Sequence, residues 1–133
     1  WPSGPMDDLP YVSHRRAFVT LETHQAFHLG FAEEMRRRMR GLIDAYFATS
    51  GTALAQLRDT FGVTHLLVDT THFGSTPPPY FAPFDDWTRA AHAKARAEGP
   101  EFVRQLGVAG VFSEGHYVLL ELRRLAPLPA AGQ

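Results

Sequence analysis

The sequence predicts a small α/β sandwich of about four strands, in which a parallel pair and a C-terminal antiparallel hairpin are covered by three to four helices. Three patterns predict this class. A β-prone run over residues 16–22 and an apolar run over residues 65–69 flank a long amphipathic stretch. Two further apolar runs, at residues 108–113 and 116–123, flank a glycine-containing turn. Because strand–helix–strand connections cross over right-handedly, the first two strands are expected to be parallel neighbours.

The first strand is predicted over Arg16–Glu22, where phenylalanine, valine, threonine and leucine favour extended backbone. A helix is predicted next, from about residue 26 to 48, because apolar residues recur there every three to four positions. These residues are Phe27, Phe31, Met35, Met39, Leu42 and Tyr46. A shorter helix follows Gly51, with Gly62 as its left-handed C-terminal cap. Its inward residues are Leu54, Leu57 and Phe61.

In the middle of the chain, the sequence predicts a strand, an irregular segment and a third helix. Three consecutive apolar residues at positions 66–68 favour a central strand that is covered on both faces. Residues 73–84 contain four prolines and are expected to be irregular. Either Asp85 or Asp86 is a good N-cap for a helix that extends to about Glu98.

The last third predicts a short helix and a hairpin. Residues 100–107 begin with a proline and end with a glycine, which is typical of a short helix. Glu114 and Gly115 are predicted to form the two-residue turn of the hairpin, with glycine supplying positive φ. The residues that alternate inward on its second strand are Val118, Leu120 and Leu122.

Composition restricts the classes of function. The 133 residues are 44% hydrophobic and carry a net charge of −1, which is typical of a globular domain and gives no basic field for nucleic acid. There is no cysteine, so disulfides and thiolate chemistry are excluded. We expect one domain over residues 1–125 with a flexible tail over 126–133. Because the chain begins with Trp1 rather than methionine, we also expect a piece of a longer protein.

The most distinctive set of polar residues follows the two strands that are predicted to be parallel. Carboxylates and imidazoles at the carboxyl ends of such strands could bind a divalent metal or another ligand, or transfer protons. The candidates are Glu22, His24, His28, Asp69 and His72. The alternative is that Asp69 caps a turn or pairs with Arg15 or Arg16, and that the histidines are ordinary loop residues.

Two other groups of residues are candidates for interaction. Arg36, Arg37 and Arg40 form a basic patch that could meet phosphates or lipid head groups, unless neighbouring acids neutralise it. The segment from residue 73 to 87 is rich in rings that could dock a partner, stack on a sugar or mediate self-association. Alternatively, these rings fold back over the edge of the sheet. They are Phe73, Tyr80, Phe81, Phe84 and Trp87.

Three segments in order carry a resemblance to a known family. Residues 15–22 are followed by His28 and by a helix that ends Asp44-Ala45-Tyr46. Residues 61–69 read Phe-Gly-Val-Thr-His-Leu-Leu-Val-Asp, and residues 111–120 read Val-Phe-Ser-Glu-Gly-His-Tyr-Val-Leu-Leu. In this order the chain resembles the C-terminal soluble domain of large polytopic bacterial membrane proteins similar to type-C glycosyltransferases, the dolichyl-phosphate-mannose-transferase-like group.

The resemblance implies a module at the extracytoplasmic face of a bacterial inner membrane. Its first partner would be the transmembrane portion of the same polypeptide, with a saccharide or lipid-linked acceptor as a further ligand. The catalytic acids of that family lie in membrane-proximal loops outside this chain, so the resemblance assigns no catalytic residue or cofactor here. The residues themselves leave open the alternative of a small metal- or ligand-binding domain.

Overall fold

The structure is a computed structural model that describes residues 1–21 and 29–127. Within these residues the chain forms five α-helices and one three-stranded antiparallel sheet, a mixed α/β fold. The helices are α1 (Pro5–Ser13), α2 (Leu29–Tyr46), α3 (Gly51–Phe61), α4 (Phe84–Glu98) and α5 (Glu101–Ala109). The strands are β1 (His65–Asp69), β2 (Gly110–Glu114) and β3 (Tyr117–Glu121). Short 3₁₀ turns follow β1 at Thr70–Phe73 and β3 at Leu122–Arg124.

The predicted parallel pair of strands is not found in the described residues. The sheet order is β1-β3-β2, and β1 pairs with β3 in antiparallel register, with Leu67 opposite Leu119. Residues 16–21 form no strand, and Glu22 lies outside the described residues. Val19 and Thr20 are nonetheless buried, although they belong to no strand, whereas Leu21 is 42% exposed. Burial of Val19 and Thr20 therefore explains the strand-like composition of this segment.

The predicted central strand is an edge strand. Leu66 and Val68 are buried, whereas Leu67 between them is half-buried. One face of β1 therefore packs on the core and the other is partly open, which is the usual arrangement in an antiparallel sheet.

The periodic segments are helical, as predicted. The buried positions of α2 run from Met35 to Tyr46, although Phe31 at its beginning is 41% exposed. The left-handed cap of α3 is confirmed, since Gly62 has φ 70° and its N–H donates to the Arg58 carbonyl at 2.9 Å. Helix α1 was not predicted. Its sequence signals are Pro5 in the first turn and the acidic pair that follows.

The core lies between the helices and one face of the sheet. The strands contribute Leu66, Val68, Val118 and Leu120, and α2 and α3 contribute the largest buried helical side chains. The inward alternation on β3 is confirmed. The hairpin turn lies one residue later than predicted, at Gly115–His116, where Gly115 has φ 57°. No helix in residues 1–21 or 29–127 has the length and apolarity to cross a membrane.

Candidate functional site

Asp69 is the last residue of β1, and its two carboxylate oxygens have different environments. Oδ1 accepts hydrogen bonds from the backbone N–H of Thr71 at 2.9 Å and from its hydroxyl at 2.6 Å. These bonds make Asp69 the cap of the 3₁₀ turn that follows. Oδ2 lies 3.7 Å from Nε2 of His72 and 3.7 Å from Nε2 of His116. Both distances exceed a hydrogen bond, so Oδ2 keeps acceptor capacity.

A buried phenol holds this corner of the sheet to α2. The Tyr46 hydroxyl accepts a hydrogen bond from the Asp69 backbone N–H at 2.9 Å and contacts Nδ1 of His72 at 2.9 Å. Its other neighbour, the Asp69 carbonyl, is more distant at 3.4 Å. The phenol hydrogen is therefore best directed to Nδ1 of His72. In that tautomer Nε2 of His72 carries the ring hydrogen and points toward Asp69.

The ionisation of these groups follows from burial and proximity. Burial raises the pKa of the Tyr46 phenol. Burial also lowers the pKa of His72, although the negative charge of Asp69 opposes this shift. For Asp69, burial acts to raise the pKa, but the hydrogen bonds from Thr71 and the two imidazoles outweigh it and leave the pKa below its usual value. The structure thus favours a carboxylate beside a neutral His72 at neutral pH.

His116 reaches this site from the turn between β2 and β3. Its carbonyl accepts hydrogen bonds from the Thr70 backbone N–H at 2.8 Å and from the Thr70 hydroxyl at 3.0 Å. The hairpin turn is therefore tied to the end of β1. The imidazole itself is about half exposed and contacts the Tyr117 ring in a tilted arrangement, with 4.2 Å between ring centroids.

A cavity of about 200 Å³ opens beside these groups. Asp69 and His72 are the ionisable side chains of its lining, and Trp1 and Tyr117 are the aromatic residues that line it. The remaining lining residues are Ser3, Gly4, Pro5 and Leu67. We call this the Asp69 cavity. It can accept a small ligand that combines a hydrogen-bonding edge with an apolar face.

No protein-family model, curated protein or solved structure matches this chain.

The structure brings together two of the five predicted ligand residues. Asp69 and His72 are adjacent, whereas Glu22, His24 and His28 lie outside the described residues and their convergence stays a prediction. Within the described part of the chain, no group of three or more histidine and acidic side chains is arranged to hold a metal ion.

Sequence reasoning missed Tyr46 and His116 as members of this site. The only signal for Tyr46 was its place at the end of the apolar stripe of α2, which predicts burial and not a polar contact. His116 gave no local signal, because it meets Asp69 only when β3 pairs with β1.

Two arginines of the predicted basic patch, Arg37 and Arg40, form ion pairs with acidic side chains of the same helix. Arg37 and Arg38 both bind Glu34, at 2.9 and 2.6 Å, and Arg40 binds Asp44 at 3.1 Å. These are surface ion pairs at helical spacing, which are worth little individually but compensate the charges of Arg37 and Arg40. Arg36, the third residue of the predicted patch, forms no ion pair with the described residues. Glu34 thereby acquires a pKa of about 2, chiefly through its hydrogen bond from Arg37.

The predicted aromatic segment is packed mostly against the protein. Phe73 lies on the rings of Tyr46 and Phe102, with centroids 5.7 and 4.9 Å apart. Tyr80 meets Trp1 edge to face, and Phe84 is buried at the beginning of α4. Trp87 is half-buried beneath the Arg40 guanidinium, and Phe81 is 42% exposed.

Proposed function

We propose that this chain is a non-catalytic, soluble extracytoplasmic module of a larger, glycosyltransferase-like bacterial membrane protein, and that it contacts an acceptor or partner through the Asp69 cavity. The transmembrane portion of the same polypeptide is its first partner in this proposal. A saccharide or lipid-linked acceptor is the ligand class that the family resemblance suggests.

One observation carries the proposal: segments that carry the resemblance meet at one point. Tyr46 comes from the end of the first helical segment, Asp69 from the second segment and His116 from the last. The Tyr46 hydroxyl is 2.9 Å from the Asp69 N–H, and Asp69 Oδ2 is 3.7 Å from His116. Asp69 from the second segment and Tyr117 from the last both line the Asp69 cavity, and Tyr46 binds the Asp69 backbone beside it. A cavity formed by distant parts of the chain is the expected place for ligand contacts.

The absence of cysteine allows a direct test of location. Tyr11 is 74% exposed and Ala55 is 2% exposed, so Tyr11→Cys supplies an accessible thiol and Ala55→Cys a matched buried one. Each is introduced into the complete gene product, with any other cysteines replaced, and expressed in bacterial spheroplasts. We expect a membrane-impermeant maleimide to label Tyr11→Cys in intact spheroplasts and Ala55→Cys only after denaturation. Labelling of Tyr11→Cys only after lysis would place the module in the cytoplasm and overturn the proposal.

A second candidate function is a small ligand- or metal-binding domain that acts independently of a membrane. The observation that favours it is the unfilled Oδ2 of Asp69 at the cavity, close to two imidazoles. Metal analysis of the purified chain tests the metal-binding form of this second candidate function. Stoichiometric zinc that is lost in the Asp69→Ala/His72→Ala double variant supports a metal site. Metal-free protein with an intact fold refutes that form.

A further inference from the structure

We infer that the Asp69 cavity recognises two neighbouring hydroxyl groups of one ligand, a vicinal diol such as a sugar presents. This inference deepens the proposed acceptor contact and rests on it for its biological meaning. It depends on the hydrogen-bond donors and acceptors at the cavity.

The acceptor is Oδ2 of Asp69. Oδ1 is already occupied by two hydrogen bonds from Thr71, which fix the carboxylate plane. Oδ2 receives no hydrogen bond from the described residues and belongs to a side chain that lines the cavity. A carboxylate oxygen has two lone pairs, so Oδ2 can accept from two hydroxyl groups at once.

The donor is Nε2–H of His72. The Tyr46 hydroxyl accepts a hydrogen bond from the Asp69 N–H and donates its own hydrogen to Nδ1 of His72. The ring hydrogen of His72 is therefore on Nε2. The gap of 3.7 Å from Nε2 to Oδ2 is too long for a direct hydrogen bond. A hydroxyl oxygen at about 2.8 Å from both atoms can bridge it, accepting from the imidazole and donating to the carboxylate.

His116 is not among the residues that line the cavity, but it brings a second imidazole to the same oxygen, since its Nε2 is also 3.7 Å from Oδ2. In the tautomer that carries the hydrogen on Nε2, His116 can donate to a second hydroxyl that bridges this gap, so two hydroxyls converge on one oxygen. Vicinal hydroxyls meet this requirement because they are close enough to share one acceptor. Trp1 and Tyr117 line the same cavity, and aromatic residues of this kind can pack against the carbon face of the ligand.

Two other ligand classes fit this set of groups less well. A phosphate or carboxylate would meet the negative charge of Asp69 with no arginine or lysine among the residues that line the cavity. Burial lowers the pKa of the Trp1 amino group to about 5, so this group supplies no positive charge at neutral pH. A metal ion needs a lone pair on Nε2 of His72, which carries the hydrogen when Tyr46 donates to Nδ1. A neutral diol uses both the donor and the acceptor.

The test is an NMR titration of the ¹⁵N-labelled chain. The probes are cis-cyclohexane-1,2-diol and methyl α-mannopyranoside, and cyclohexanol is the matched probe that lacks the second hydroxyl. We expect both diols to shift the amides of Asp69, His72 and Tyr117 with a Kd on the order of 1 mM. Cyclohexanol should bind at least about tenfold more weakly, a difference of about 1.4 kcal/mol. Equal binding of the three probes, or no shift with either diol, would overturn the inference.

Asp69→Asn separates recognition from folding. Its amide oxygen can keep the Thr71 hydrogen bonds of Oδ1, while its NH₂ replaces the Oδ2 acceptor by a donor. We expect a loss of at least about tenfold in diol affinity. Asp59→Asn on α3 is the matched control and should bind like the wild type. His116→Gln changes a half-exposed side chain and should weaken binding without unfolding the chain. Unchanged affinity in both site variants would refute the assigned geometry.

The two proposals fail separately. A chain that is labelled outside the cell but binds no diol retains its location and loses the diol site. A chain that binds diols but is labelled only after lysis retains the site and loses the membrane context. Zinc titrated alone provides a third arm, and stoichiometric zinc binding that excludes the diol would replace the diol site by a metal site.

Discussion

Tyr46→Phe removes one oxygen atom from the centre of the site, and its effect on stability can be worked from the structure. Tyr46 is 1% exposed, and its hydroxyl makes two contacts at 2.9 Å, to the Asp69 N–H and to His72 Nδ1. Phenylalanine keeps the ring that packs on Trp1 and Phe73, so the change opens no large cavity. The cost therefore comes from the groups that lose their partner.

An unpaired buried donor or acceptor costs about 1–3 kcal/mol. The backbone N–H of Asp69 bears most of this cost, because the partly exposed His72 can recover a hydrogen bond to water. We expect Tyr46→Phe to lower the free energy of unfolding by about 2 kcal/mol, which is a large share of the stability of a typical domain. Urea denaturation followed by circular dichroism measures it, and an unchanged m-value shows that both states keep their compactness.

Tyr11→Phe is the matched control, since the Tyr11 side chain is 74% exposed. It should change stability by less than about 0.5 kcal/mol. Amide exchange gives a local readout, because the Asp69 N–H should exchange faster in Tyr46→Phe and not in Tyr11→Phe. If Tyr46→Phe unfolds within about 0.5 kcal/mol of the wild type and the Asp69 amide keeps its protection, the phenol is not the anchor described above.

Three further predictions test the fold around the site. Leu120→Ala removes a fully buried side chain from β3 and should cost about 3 kcal/mol in urea denaturation; a cost below about 1 kcal/mol would contradict its place in the core. Gly62→Ala forces a side chain on a residue with φ 70° and should cost about 1 kcal/mol, whereas a gain in stability would contradict the left-handed cap. NMR titration of Glu34 should give a pKa of about 2, so its ion pairs stabilise the fold above pH 4.5 and are lost as the pH falls toward 2. Arg38→Gln should raise that pKa, and an unchanged value would remove Arg38 from the cluster.

The candidate site shows the limit of reasoning from local patterns. Asp69 and His72 were found because they follow an apolar run, and the order of residues alone places them close together. Tyr46 and His116 were missed because each reaches Asp69 through tertiary contacts. The tautomer of His72 depends on Tyr46, so the inferred donor in the cavity could not be read from the sequence.

The sequence by itself determined the elements whose stabilising contacts are local. The apolar period of α2 and the glycine that ends α3 are properties of neighbouring residues, three to four apart along a helix. The alternation of β3 likewise marks which side chains face inward, and the helices near Asp85 and after Pro100 are found. The predicted cap of α4 is wrong, because the helix begins at Phe84 with Pro83 as its N-cap and Asp85 and Asp86 lie in its first turn.

Only the tertiary structure decided which strands pair and which polar groups meet. An apolar run indicates burial but does not indicate which other segment will cover it. Residues 16–21 and 65–69 are both apolar runs, yet only residues 65–69 form a strand. Strand pairing depends on packing between residues that are far apart in the sequence, which local sequence patterns do not predict. Here Leu67 lies opposite Leu119. That pairing places Tyr117 opposite Asp69, and both residues line the Asp69 cavity at the end of β1, where Tyr46 binds the backbone.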